Sequence, residues 1–186
     1  VGSEMCIRDR DMRASKYQFE EWPTDLLIDY ALKVHHRGIR EKGPEILSLI
    51  HSMMGENQLM EEIESLFSEC MLDLENHLQK EEQVLFPFTY QLMESQLTGQ
   101  PAVPMHCGSV AMPIHVMILE HDNETKRQQR LRKLTNNYTP STDACGDYKL
   151  LLSLLKNFAE DLNEHVYIEN EIIFPRSQLL EQQLLS

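Results

Sequence analysis

HLQKEEQVLFP, residues His77 to Pro87, has a plan that the chain repeats as HVYIENEIIFP, His165 to Pro175. In each copy a histidine is followed four residues later by a glutamate, and then by a short apolar run that ends in Phe-Pro. Residues four apart on an α-helix share a face, roughly 6 Å apart along the axis. His77 with Glu81, and His165 with Glu169, are therefore nitrogen–oxygen pairs pointing one way.

Both pairs lie on apolar stripes of helical period. The first stripe is Ile63, Leu66, Phe67, Cys70, Leu74, His77, Glu81, Leu85, Phe88, and the second is Leu151, Leu154, Leu155, Phe158, Leu162, His165, Glu169, Ile172. A buried, unpaired carboxylate costs several kcal/mol or gives up its charge. Two of them among histidines are most simply explained by bound cations.

Working outward, a helix is expected from Trp22-Pro23-Thr24-Asp25, with Thr24 as its cap and the stripe Ile28, Leu32, His35, Ile39, Ile46, Ile50. Gly43-Pro44 predicts a kink in it, and Gly55-Glu56-Asn57 a turn. The second helix should run from about Leu59 to about Leu97, bent by Pro87. Thr98 to Pro113, rich in Pro and Gly, reads as a loop. A third helix spans about Ile114 to Leu134. A fourth runs from about Ala144 to the end, capped by Ser141 or Thr142 and bent by Pro175. The expected fold is all-α, an antiparallel up-and-down four-helix bundle over residues 11–186.

The lone histidines complete the duplication. His36 lies 41 residues before His77, and His121 lies 44 before His165. Each half thus reads as one histidine on helix 1 or 3, then HxxxE on helix 2 or 4. Periodicity by itself favours His35, on the apolar stripe, over His36 about 100° round the helix. Mixed imidazole and carboxylate donors without thiolate suit iron, manganese or zinc. A zinc pair would point to hydrolysis, for which no further base or substrate signature is present.

Composition narrows the field. The formal charge of −13 argues against nucleic acid and against anionic membrane surfaces. Apolar residues at 41% suffice for a core, and no run is long enough to span a bilayer. The cysteines Cys6, Cys70, Cys107 and Cys145 form no CxxC pair. Neither a zinc ribbon nor a disulfide framework is expected, and the protein reads as cytoplasmic with reduced thiols. VGSEMCIRDR, residues 1–10, looks like a translated sequencing-adaptor remnant and is set apart from the rest.

The stretches LLIDYALKVHHRGIREKGPEI, LENHLQKEEQVLFP, ILEHDNE, LTNNYTPSTDAC and HVYIENEIIFPR together resemble the hemerythrin-like di-iron proteins, and specifically the repair-of-iron-centres proteins that restore iron–sulfur clusters. The resemblance spans residues 22–176. It implies His36, His77, His121 and His165 as terminal ligands and Glu81 and Glu169 as bridges between two non-haem iron ions, with or without an oxo or hydroxo bridge. It implies a role in repairing iron–sulfur proteins damaged by nitric oxide or oxidants, by releasing iron or by reacting with nitric oxide, and leaves open whether that makes the chain an enzyme. The alternatives are an oxygen or nitric-oxide binding, sensing or iron-storage module, and a metal-free helical interaction domain.

The chain departs from oxygen-carrying hemerythrins, where helix 3 has an HxxxH pair. Here the second position is Thr125. Many repair proteins also carry a small N-terminal cysteine domain; the adaptor-like start leaves open whether one belongs ahead of this bundle. In the family register His36 is the ligand and His35 supports it or packs. His51, roughly 22 Å beyond His36 on a continuous helix, reads as a surface residue, and His106-Cys107 as an exposed loop pair. Cys70 and Cys145 are expected to pack; Glu82, Glu120 and Glu124 are expected to face solvent, with the alternative that one of them orients a ligand histidine. The methionines Met53, Met54, Met71, Met93, Met112 and Met117 are expected to fill the core.

Overall fold

The computed structural model describes residues 17–55, 58–106 and 108–185. The adaptor-like segment, Glu56-Asn57 and Cys107 lie outside them. Among the described residues there are four long helices and no strand. These are α1 (residues 24–52), α2 (residues 58–98), α3 (Ala111–Leu134) and α4 (residues 146–185), with a 3₁₀ turn at Phe19–Glu21 ahead of them. α1 and α3 each pack against both α2 and α4, which closes an up-and-down bundle.

Three of the four helices carry a π-turn, and each π-turn lies at an expected ligand: Ala31–His36 in α1, Glu81–Leu85 in α2 and Glu169–Ile173 in α4. Proline explains the last two. Pro87 and Pro175 have no N–H to give, and their rings crowd the carbonyl four residues back. The helix widens by one residue instead, so Phe86 N–H reaches Glu81 O and Phe174 N–H reaches Glu169 O. The Phe-Pro ending thus sets a local widening that begins at the glutamate.

In α1 the irregularity is not at Gly43-Pro44. Pro44 lies inside the α-helical segment Arg37–Ser52, and the extra residue is inserted earlier, at Ala31–His36. The expected caps also differ. Thr24 is the first helical residue after Pro23, and Cys145 precedes α4, neither end having a side-chain cap. Gly99 closes α2 in the left-handed region, φ 70°, with its N–H on Ser95 O at 2.9 Å.

Buried apolar side chains fall into two clusters. One gathers Leu27, Ile28, Leu85, Phe86, Ile114, Met117, Ile172 and Phe174. The other gathers Ile39, Ile46, Phe67, Leu74, Leu131, Leu155, Phe158 and Leu162. The histidines and glutamates lie between them along each helix. The loop after α2 is no free strap. Met105 and Val110 are buried in the first cluster, and Glu181 of α4 accepts from Val110 N–H (2.9 Å) and Ser109 Oγ (2.6 Å). That carboxylate sits at the positive end of α3.

Some expectations fail at the surface. Met54 and Met112 are exposed, although Met53 and Met117 are core. Cys145 is exposed because it stands in extended backbone ahead of α4. Two others hold: His106 is exposed, and so is His51, beside Glu64 at 3.3 Å.

Candidate metal centre

Six buried side chains from the four helices come together as two overlapping sets of four. His36, Glu81, His165 and Glu169 form one set, and His77, Glu81, His121 and Glu169 the other, with the donor atoms of each set within 4.8 Å of one another. Both carboxylates belong to both sets, and each divides its oxygens between them. Glu81 Oε2 lies 3.4 Å from His36 Nε2 and 3.8 Å from His165 Nε2, while its Oε1 lies 3.2 Å from His77 Nε2. Glu169 Oε1 lies 2.8 Å from His165 Nε2, and its Oε2 lies 3.2 Å from His121 Nε2.

The pairing crosses the two halves. The lone histidine of each half shares a set with the HxxxE histidine of the other. His35, the competing candidate, joins neither set. The π-turn buries it as well, and its ring stacks on His165 with centroids 5.6 Å apart.

All four carboxylate oxygens, His36 Nε2 and His165 Nε2 are buried without hydrogen-bond partners. Buried polar groups are almost always satisfied, so a pocket with this many orphans is built for something else. Each set offers two imidazole nitrogens and two carboxylate oxygens, a donor mix that suits iron, manganese or zinc. Four protein donors leave open positions on any ion that prefers six.

The pocket's electrostatics hold it ready. Burial by itself would strip these imidazoles of protons, but the two carboxylates outweigh it and push His36 up to about 9 and His165 up to about 10. His77 moves in the same direction, again against burial. Glu81 and Glu169 are held below the ordinary carboxylate range despite burial and mutual repulsion, because imidazoles surround them. Protons on the imidazoles thus balance the two carboxylates until cations do so.

Surrounding side chains fix ring orientation. His36 Nδ1–H donates to Glu82 (2.8 Å), itself held by Arg40 (2.7 Å). His77 Nδ1–H donates to Glu120 (2.8 Å), which Lys80 also binds. His121 Nδ1–H donates to Asn170 Oδ1 (2.9 Å). A donor role for Nδ1 leaves Nε2 free as a ligand. Glu82 and Glu120 are therefore not simply solvated, and Glu124 is buried against Arg127 and Gln128. Phe86 stacks on His36 and Phe174 on His121, both at 5.9 Å. Sequence reading missed Arg40 and Asn170 and gave the phenylalanines no role. Symmetry held the signal, since Glu82 and Asn170 both follow the shared glutamate of their half.

The family described as Hemerythrin HHE cation binding domain matches residues 27–177. A probable iron-sulfur cluster repair protein of Haemophilus influenzae is 34% identical over 158 residues, covering 81% of this chain and 63% of that protein. Iron-sulfur cluster repair protein DnrN of Neisseria gonorrhoeae is 32% identical over 160 residues, covering 85% of this chain and 94% of that one. Iron-sulfur cluster repair protein YtfE of Yersinia pestis is 30% identical over 173 residues, covering 89% and 72%. This chain therefore spans less than two thirds of the Haemophilus protein's length and most of the other two. No helix among the described residues is long and apolar enough to cross a membrane.

Proposed function

The chain belongs to the hemerythrin HHE cation-binding family, and from that premise we propose that it is a cytoplasmic non-haem di-iron protein for the repair of iron–sulfur clusters damaged by nitric oxide or oxidative stress. The observation that carries the proposal is the division of both buried carboxylates between two imidazole pairs. His36 and His165 would hold one iron, and His77 and His121 the other. Glu81 and Glu169 would bridge them. The donor set alone fits several metals; the names of the relatives, iron-sulfur cluster repair proteins, favour iron.

Bound iron would supply one-electron chemistry and open positions for small ligands such as nitric oxide or oxygen. The chain's part is to place and shield that chemistry. Glu82, Glu120 and Asn170 orient the imidazoles, and the two apolar clusters keep bulk water from both ends of the pocket.

The test is to load the protein with ferrous iron and quantify it. Fewer than about one ion per chain would defeat the reading, because ordered donors in this number bind tightly. The loaded protein is then mixed with an iron–sulfur enzyme inactivated by nitric oxide. Recovery of activity supports repair. No recovery, together with reversible oxygen binding, would point instead to a carrier or sensor.

A further inference from the structure

The two halves of the centre match closely, and one of their differences leaves a ligand untied. In each half the residue before the lone histidine meets the HxxxE histidine that shares that lone histidine's set. Before His121 that residue is Glu120, which accepts from His77 Nδ1–H at 2.8 Å. Before His36 it is His35, which stacks flat on His165, rings 14° apart, and leaves His165 Nδ1 buried without a hydrogen-bond partner. Three of the four site imidazoles are thus tied by Nδ1, and His165 is not. Ties of this kind hold a ligand histidine in orientation and strengthen metal binding, so the half that contains His165 is the looser one.

His35 also has an unused nitrogen. Its Nε2 is buried with no hydrogen-bond partner, and the nearest acidic atom, Glu164 Oε1, stands 3.6 Å away. Two donors each about 2.0–2.2 Å from one ion in tetrahedral geometry are separated by about 3.4 Å. Glu164 is steadied by the Tyr30 hydroxyl at 3.0 Å. On the other side, His35 lines a cavity of about 100 Å³ with Gly38, Ile39 and Phe158, and the Lys42–Asp161 ion pair stands at its exposed edge. His35 thus touches both this cavity and the ring of His165, the less firmly tied ligand.

From this geometry we infer that His35 and Glu164 form a transient divalent-cation site, through which an ion enters and leaves the His36/His165 half of the centre by way of the cavity. Two donors make a weak site, which suits passage better than storage. The step exchanges ligands and moves no electron. The inference rests on the di-metal reading above, and the test separates the two.

Wild-type protein, His35→Phe, Glu164→Gln and Gly38→Leu are loaded anaerobically with ferrous iron, and its release to a coloured chelator is followed by stopped flow. Phenylalanine keeps the stack on His165 while removing the nitrogen. A Cβ added at Gly38, which lines the cavity, has nothing within 4 Å, so leucine is chosen to narrow the cavity. The tightly held iron that survives removal of free ions should be the same in all four proteins. Release should slow about tenfold or more in each variant, and a weak extra equivalent of ion bound by wild type should vanish in His35→Phe and Glu164→Gln. Slow release in Gly38→Leu alone would leave the cavity as the route and overturn the transient site. Unchanged release in all variants overturns the whole inference. Absence of iron in wild type would instead remove the di-metal reading, and this inference with it.

Discussion

Metal uptake should expel protons, and the number can be worked from the pocket. Without metal, Glu81 and Glu169 are ionised, while His36 and His165 are held protonated with pKa values of about 9 and about 10. An imidazole must lose its proton to bind a cation through Nε2. At pH 7 the filling of both sets should therefore release at least about two protons per chain, and the overall affinity for the pair of ions should fall about a hundredfold between pH 7 and pH 6. Calorimetric titration of ferrous iron in two buffers of different ionisation enthalpy counts the protons directly. Release of less than about one proton per pair of ions would refute the charge assignment.

The same shifts govern the metal-free protein. A histidine whose pKa rises from 6.5 on folding stabilises the fold fully below pH 6.5, and that stabilisation is lost as the pH rises through about 9 and then about 10. The lowered carboxylates act in the opposite sense: their contribution is present above pH 4.5 and lost on acidification. Thermal unfolding of the metal-free protein should therefore be highest between these limits and decline toward alkaline pH.

Other outcomes follow from the same geometry. Glu81→Ala and Glu169→Ala should each leave fewer than about one iron per chain by elemental analysis, while His51→Ala, at an exposed helix end, should keep the full amount. Full retention in both glutamate variants would contradict the bridging roles. Glu82→Ala and Asn170→Ala should weaken metal binding about 10- to 100-fold in competition titrations, with the chain still folded. Phe174→Ala should destabilise the metal-free fold by about 3–5 kcal/mol in denaturant unfolding, because the ring is fully buried and stacked on His121. Glu181→Ala should cost about 1–3 kcal/mol by orphaning the buried Val110 N–H.

The architecture was legible because helical periodicity is local. Ile63 through Phe88 and Leu151 through Ile172 repeat with the period of an α-helix, and a stripe of that length needs a partner face. HxxxE on such a stripe must point inward whatever surrounds it. For the same reason His77, Glu81, His165 and Glu169 could be proposed as a set without coordinates. The choice between His35 and His36 was less secure, because an ideal helix cannot bury both equally. The π-turn at Ala31–His36 removes that assumption. Nothing in the local pattern announces it, since α1 has no Phe-Pro signal there.

The sequence by itself determined that HLQKEEQVLFP and its copy each place a histidine and a glutamate on an inward face, because spacing along a helix is set by the backbone alone. Only the tertiary structure decided how those pieces combine. Antiparallel packing brings His36 of one half beside His165 of the other, and His121 beside His77, so that each carboxylate faces two sets. It also gave the Phe-Pro endings their second purpose, widening the helix at each glutamate and laying a ring on each lone histidine. Contacts between helices depend on register and rotation, and those are settled by the whole core.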